Sequence, residues 1–308
     1  MTGVQTCALP ILEKGFTPAT IVNDAPFYAP AQPGSDAWEP KNYDGKFEGP
    51  MRVRAALAKS KNLVTVRVMQ AIGANYAQDY IARFGFDPKL HPPYLSTGLG
   101  AGSATPLQMV AAYSVFANGG YRVVPYLIAR VVDARGTLLS EASPVVAGEN
   151  AERAIDPRNA YVMTSMLKDV IAYGTATRAL SLGRKDLAGK TGTTNEYVDA
   201  WFCGFNADIV GVSWIGFDQP KTLGTNETGA VAALPIWISY MGKALKGAKE
   251  EELPMPEGVV AVKVNADTGL KDEGGLTEFF FSEFPPRGRE EGLTPSATPG
   301  KDIRDQLF

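Results

Sequence analysis

The chain has 308 residues, with 33 acidic and 30 basic side chains and a net charge of −3. That balance excludes a general nucleic-acid binder, which needs a basic excess or stripe. Hydrophobic residues make up 45% and charged residues 20%, the ordinary mix of a globular chain long enough to bury a sizeable core as one large or two small domains. One histidine (His91) and two cysteines (Cys7 and Cys203) cannot build a His/Cys metal cage or a disulfide framework; no metal or cofactor is expected. No window has the about 20 apolar residues of a membrane-spanning helix. The best stretch, Ala230–Met241, is shorter and holds Pro235. The basic start and apolar run of a signal peptide are also missing.

Val4-Gln5-Thr6-Cys7-Ala8-Leu9-Pro10-Ile11 back-translates as GTT CAG ACG TGT GCT CTT CCG ATC, which matches a common sequencing-adapter read. Residues 1–11 are therefore expected to be non-native and are set aside from the fold; the chain is then expected to be the 3′ part of a longer gene. Asn23–Pro50 is rich in Pro, Gly, Asp and aromatics and reads as a long ordered loop. Met51–Gly73 has helical periodicity with Ser60-Lys61-Asn62 at the junction of two helices. A helix over Asn75–Phe84 ends at Gly85. Thr105-Pro106 caps a helix that runs to Ala117 and stops at Asn118-Gly119-Gly120.

Tyr121–Val132 is β-rich and turns through Asp133–Gly136 into Thr137–Leu139. Asp156-Pro157 caps a long helix to Tyr173, closed by Gly174. Strands follow at Leu187–Thr193, Asp199–Phe205 and Val210–Phe217, the last two joined by a turn at Asn206-Ala207-Asp208. Leu234–Leu245 is a terminal helix, Val259–Val264 a short strand, and Pro285–Phe308 a weakly ordered tail. His91, beside Pro92-Pro93, reads as a surface loop residue; Cys203, in an apolar strand, as core; and Trp201 as a wall or core aromatic. The pattern predicts an α+β fold, with a helical part, an antiparallel sheet flanked by helices, and a cleft between them.

Lys190-Thr191-Gly192-Thr193-Thr194 is the sharpest chemical signal. A lysine and two hydroxyls on one strand edge suit an anion such as a carboxylate, and Gly192 permits close approach to the backbone. The plain alternative is a surface strand end with a solvated lysine. A phosphate-binding loop fits poorly: its first glycine should fall at residue 184, which is Arg184, and it should open a helix. Ser60-Lys61-Asn62 alone is weak, since a serine at a helix end is commonly a cap. It gains weight from its order along the chain relative to the lysine-threonine-glycine strand.

Together with Leu12–Thr20, Arg83–Phe86, Leu99-Gly100, Thr105–Gln108, Asn118–Gly120 and Asp199–Phe202, these motifs resemble the transpeptidase domain of class A, bifunctional penicillin-binding proteins. The likeness covers Leu12 to about Lys246. It implies a penicillin-binding-protein/β-lactamase-like transpeptidase fold over residues 12–250, followed by an extension and tail over 251–308. It also implies acyl transfer on peptidoglycan stem peptides, inhibition by β-lactams, and a parent protein anchored in the bacterial inner membrane and facing the periplasm, with its anchor outside this chain. The resemblance makes Ser60 a proton relay, Asn62 a holder of the substrate amide and Lys190 a source of positive charge. Thr191 and Thr193 become carboxylate ligands, with the Thr193 N–H half of an oxyanion hole. Gly192 belongs to the same strand, and Gly174 and Thr175 to a loop lining the cleft. The family's nucleophile, a serine-x-x-lysine about three turns before Leu12, has no match between Met1 and Leu12. The expectation is a penicillin-binding fragment inactive as given. The alternatives are a serine β-lactamase-like hydrolase and a non-catalytic binding fragment.

Overall fold

The computed structural model describes residues 11–30 and 36–288; the expectations for residues 1–10 and 289–308 lie outside them. Strand β1 (Ile21–Asp24) pairs antiparallel with β2 (Gly49–Arg52), placing Val22 opposite Met51. The sequence reading gave 23–50 to one loop. The two strands instead clip both ends of that loop, and an Ala29–Trp38 bridge narrows it again. Four residues are too few to show alternation, and Pro50 in β2 hides the strand, because proline is confined to edges.

Helices α1 (Val53–Lys59) and α2 (Asn62–Ile72) flank the predicted junction, and α3 (Ala74–Ile81) continues into a 3₁₀ turn closed by left-handed Gly85. Helix α4 (Pro106–Ala117) starts with a full capping box, in which the Thr105 hydroxyl accepts from Gln108 N–H and the Gln108 side chain accepts from Thr105 N–H. The β-rich stretch resolves into β3 (Tyr121–Arg122), β4 (Arg130–Val132), β5 (Leu138–Glu141) and β6 (Glu152–Arg153), paired β3 with β6 and β4 with β5. Helix α5 (Pro157–Ala172) is capped by Asp156, which accepts from Arg158 N–H.

The central sheet has the order β7 (Ala188–Thr193), β8 (Ala200–Phe205), β9 (Val210–Ile215), all antiparallel. All six β8 residues are buried, which is why that strand reads as a continuous apolar run. Helix α6 (Leu234–Ala244) covers it with Trp237, whose indole N–H donates to Gly204 O; Gly204 and Gly211 leave the room that this ring fills. Phe116 of α4 stacks on Phe205 at 6.2 Å. The fold is thus helices packed around an antiparallel sheet, as the pattern predicts.

Beyond α6, β10 (Val259–Val264) pairs with β11 (Leu276–Phe281). The sequence reading has only the first of these strands, because Gly- and charge-rich surroundings mask the second. The hairpin docks by a buried ion cluster: Glu278 takes Arg54 Nε at 2.7 Å and Arg52 Nη1 at 3.3 Å. A second expectation is also corrected. His91 is not a surface residue but 4% exposed, edge-on to Phe86 at 5.1 Å and packed over Gly102. Gln78 donates to Pro88 O and His91 O and draws the Pro-rich loop inward. Burial lowers the His91 pKa. Ile11, counted with the foreign segment, is 1% exposed in the core, and its carbonyl accepts from Lys14 and Phe16. Cys203 is core as expected, its thiol pushed up by burial, and Trp201 is a core aromatic, tilted against Trp214.

Candidate active site

A cleft of about 870 Å³ runs between the edge strand β7 and the α1–α2 junction. The wall at β7 carries Thr191 and Thr193 with Thr194 just beyond; the facing wall carries Ser60, Lys61 and Asn62; Trp38–Asp44 form a third side, and Ser96, Leu99–Ala101, Thr175, Thr228 and Ala230 are among the remaining lining residues. Two segments 130 residues apart meet where Lys190 Nζ donates to Ser60 Oγ at 2.7 Å and to Thr191 O at 3.0 Å. Lys190 is 1% exposed, so its charge acts in a low-dielectric setting. The Thr175 and Thr191 hydroxyls lie 2.7 Å apart, and Thr193 Oγ1 accepts from Gly229 N–H at 3.0 Å. Thr194 N–H donates to Asp199 O, in register with the β7–β8 pairing. Backbone donors alternate along an antiparallel strand, so the N–H of Thr193 points away from β8.

Ser60 ends α1 in the left-handed region (φ 57°, ψ 46°). Its N–H bonds Leu57 O and the Lys61 N–H bonds Ala56 O, a helix-ending turn that normally uses glycine. The turn thrusts Ser60 toward Lys190. Asn62 opens α2, and its amide donates to Lys41 O at 2.9 Å. Lys61 is buried against three carboxylates, 2.9 Å from Asp44, 3.0 Å from Glu48 and 3.5 Å from Asp24. Burial works against its charge, but hydrogen bonds to Asp44 and Glu48 and the charge of Asp24 outweigh it and hold the ammonium above the ordinary lysine range. Burial likewise opposes ionisation of Asp44, and the Lys61 hydrogen bond overcomes it; Lys59, then Lys61, lowers Glu48. Tyr43 of the third side meets Tyr197, which follows the β7 edge, hydroxyl to hydroxyl at 3.3 Å.

Residues 6–233 match the family described as penicillin binding protein transpeptidase domain. Penicillin-binding protein 1A of Neisseria lactamica is 51% identical over 251 residues, 81% of this chain and 32% of that protein. Penicillin-binding protein 1A of Pseudomonas aeruginosa is 41% identical, covering 96% of this chain and 42% of the relative. The crystal structure of penicillin-binding protein 1A from Haemophilus influenzae superposes with a TM-score of 0.88 at 34% identity, over 92% of this chain and 47% of that one. The chain belongs to the penicillin-binding protein transpeptidase family. It spans about a third to two fifths of these curated relatives' length.

Within this transpeptidase fold, Ser60, Asn62, Thr175, Thr191 and Thr193 line one cleft and Lys190 underlies it. Both glycines of the expectation pack against the protein's own backbone. Gly192 is approached by the protein's own backbone, since a Cβ on Gly229 would lie 2.5 Å from Gly192 O. Gly174 does not line the cleft. It presses on α1, where a Cβ would meet Ala58 O at 2.2 Å, and the next residue, Thr175, donates its N–H to that same oxygen. Gly174 therefore positions Thr175. The one serine-x-x-lysine of the sequence, Ser165-Met166-Leu167-Lys168, lies mid-way along α5 on another cavity. There Ser165 Oγ donates to Val162 O and accepts from Arg54, and Lys168 pairs with Glu252. Lys190-Thr191 sits within a strand and does not open a helix, which removes the phosphate-loop reading. Sequence reasoning missed Lys61 and the Trp38–Asp44 wall; the only signal was acidic residues spaced through a Pro- and aromatic-rich segment.

Proposed function

We propose that this cleft binds the D-alanyl-D-alanine end of peptidoglycan stem peptides, and the β-lactams that imitate it, as part of a D,D-transpeptidase. The observation that carries the reading is the 2.7 Å contact between Lys190 Nζ and Ser60 Oγ beside the Thr191–Thr193 edge. A buried ammonium next to two hydroxyls suits a terminal carboxylate, because charge-assisted hydrogen bonds are the strong ones. Ser60, bonded to that ammonium, is placed to relay a proton toward a leaving amine. The Asn62 amide exchanges Lys41 O for a substrate carbonyl. The Thr193 N–H, turned from β8, is aimed at charge developing on an attacked carbonyl.

Acyl transfer needs a nucleophile with its base in hydrogen-bond reach. The sole serine-x-x-lysine of this chain is outside the cleft, with its hydroxyl and ammonium engaged elsewhere, so the reading is of a domain that binds ligand and is not acylated. The whole parent protein is proposed to pair this domain with a glycosyltransferase and a membrane anchor and to face the periplasm. Among the described residues of this chain no helix is long and apolar enough to cross a membrane.

Two measurements test this. Incubation with benzylpenicillin followed by intact-mass analysis is expected to show unmodified protein; a stoichiometric adduct, on Ser60 or elsewhere, refutes the non-acylating reading. Titration of isotope-labelled protein with a peptide ending in D-Ala-D-Ala is expected to shift the amides of 60–62 and 191–194. Shifts confined to other regions would refute the cleft assignment.

A further inference from the structure

Lys61 stands between Ser60 and Asn62, yet its side chain is only 3% exposed. Its three carboxylate partners come from two places: Asp24 ends β1, and Asp44 and Glu48 belong to the long loop that walls the cleft. Asp24 is itself fixed by the Asn42 side chain at 2.7 Å and by Glu48 N–H at 3.0 Å. Asn42 also donates to Lys46 O and accepts from Leu63 N–H in the first turn of α2. Each of these bonds joins the 42–48 segment to β1, to residues 61–63 or to itself. Ser60 meanwhile occupies a left-handed backbone state that a serine does not favour by itself, so something outside the turn must hold it.

We propose that Lys61 is the positioning residue of this site: its ammonium, clamped by Asp24, Asp44 and Glu48, holds Ser60 and Asn62 at a set distance from the Lys190 strand and ties the Trp38–Asp44 wall over them. The proposal rests on the reading of the cleft as the ligand site. Removing the ammonium leaves three carboxylates crowded together, and like charges at short range repel. The 42–48 segment then swings out and takes with it Lys41 O, the partner of the Asn62 amide. Arginine supplies the same charge with a fork that fits two carboxylates at once, so it restores the clamp.

The test uses the full chain as wild type, Lys61→Met, Lys61→Arg and, as a control, Val22→Ala, a core truncation in the neighbouring β1. In hydrogen exchange, Lys61→Met speeds the amides of 41–48 and 60–64 by about tenfold or more, leaves β8 and β9 unchanged, and Lys61→Arg largely reverses the effect. Wild-type exchange in Lys61→Met overturns the proposal. In titration with the D-Ala-D-Ala peptide, Lys61→Met weakens binding by about tenfold or more, while Val22→Ala leaves it within about twofold although it lowers Tm. If the two variants weaken binding alike, the role of Lys61 is general stability and the proposal fails. If wild type does not bind the peptide, the cleft reading fails, and the exchange comparison still decides the role of Lys61.

Discussion

Lys190 and Thr191 show what one buried charge can do in this cleft. The ammonium is nearly inaccessible and reaches Ser60 Oγ and Thr191 O, so a carboxylate bound beside it gains a charge-assisted contact. Lys190→Met keeps most of the stem packing and removes the charge. Binding of the D-Ala-D-Ala peptide should weaken by about 1.5–3 kcal/mol, the scale of a hydrogen bond to a charged group. The C-terminal methyl ester of the same peptide should lose much less. Ser60→Ala removes no charge and should weaken both peptides little. Calorimetric titration of the two peptides against the three proteins checks this, and equal losses for acid and ester on Lys190→Met would disprove the carboxylate assignment. The lysine-threonine-glycine strand was legible in the sequence from its residue types, and the serine-lysine-asparagine turn only from its order along the chain relative to that strand, since a serine at a helix end is commonly a cap. Lys61 was not, since a lysine at a helix junction is ordinarily solvated and its three carboxylates lie at 24, 44 and 48.

Among the elements, the join between α1 and α5 depends on Gly174, where the chain leaving α5 presses on the last turn of α1. Gly174→Ala should force the two backbones apart and destabilise the fold by about 1–3 kcal/mol, as overpacking does. It should also shift the Thr175 and Thr191 amides in an NMR spectrum; an unchanged denaturation midpoint would contradict the close approach. Asp186 ties the start of β7 to the β8–β9 turn and to the segment after α6, accepting from Arg184, Asn206 and Glu251 N–H. Burial favours its neutral form, but Arg184 and Asn206 outweigh burial and hold the carboxyl below the usual aspartate range. A lowered folded pKa means that its stabilisation is complete above the unfolded value near 4 and is lost as pH falls below it. Asp186→Asn should therefore cost about 3 kcal/mol at pH 7, the low end for breaking a buried pair, and less at pH 3. Urea denaturation between pH 3 and 8 measures this, and a pH-independent difference would refute it.

Across the whole molecule, the β10–β11 hairpin is held to the domain through Glu278, whose carboxylate is 0% exposed between Arg52 and Arg54. Arg54 also donates to Ser165 O and pairs with Asp169, so one cluster joins α1, α5 and the C-terminal hairpin. Glu278→Ala leaves two buried guanidinium groups short of a partner and should lower stability by about 3–5 kcal/mol. Hydrogen exchange should rise across 259–281 and 52–54 before the β7–β9 sheet is affected. Loss of protection everywhere at once would show that the hairpin and the domain unfold as a unit.

The sequence alone determined the helices with strong caps and periodicity, the three strands of the central sheet and the two motifs of the cleft. For the helices and strands the cause is local: a capping box at Thr105, a proline at the first turn after Asp156, an apolar run in β8. Tertiary structure alone decided what depends on distant partners. It buried His91 by folding a Pro-rich loop back on Gln78, formed β1 and β2 from ends of an apparent loop, and added β11 to β10. It brought Lys190 to Ser60 across 130 residues of chain, and it set Ser165-x-x-Lys168, a pair with the right spacing, on the wrong cavity. A short strand, a buried ion and a cleft wall take their stability from contacts between segments far apart in sequence, and that information is not held in either segment by itself.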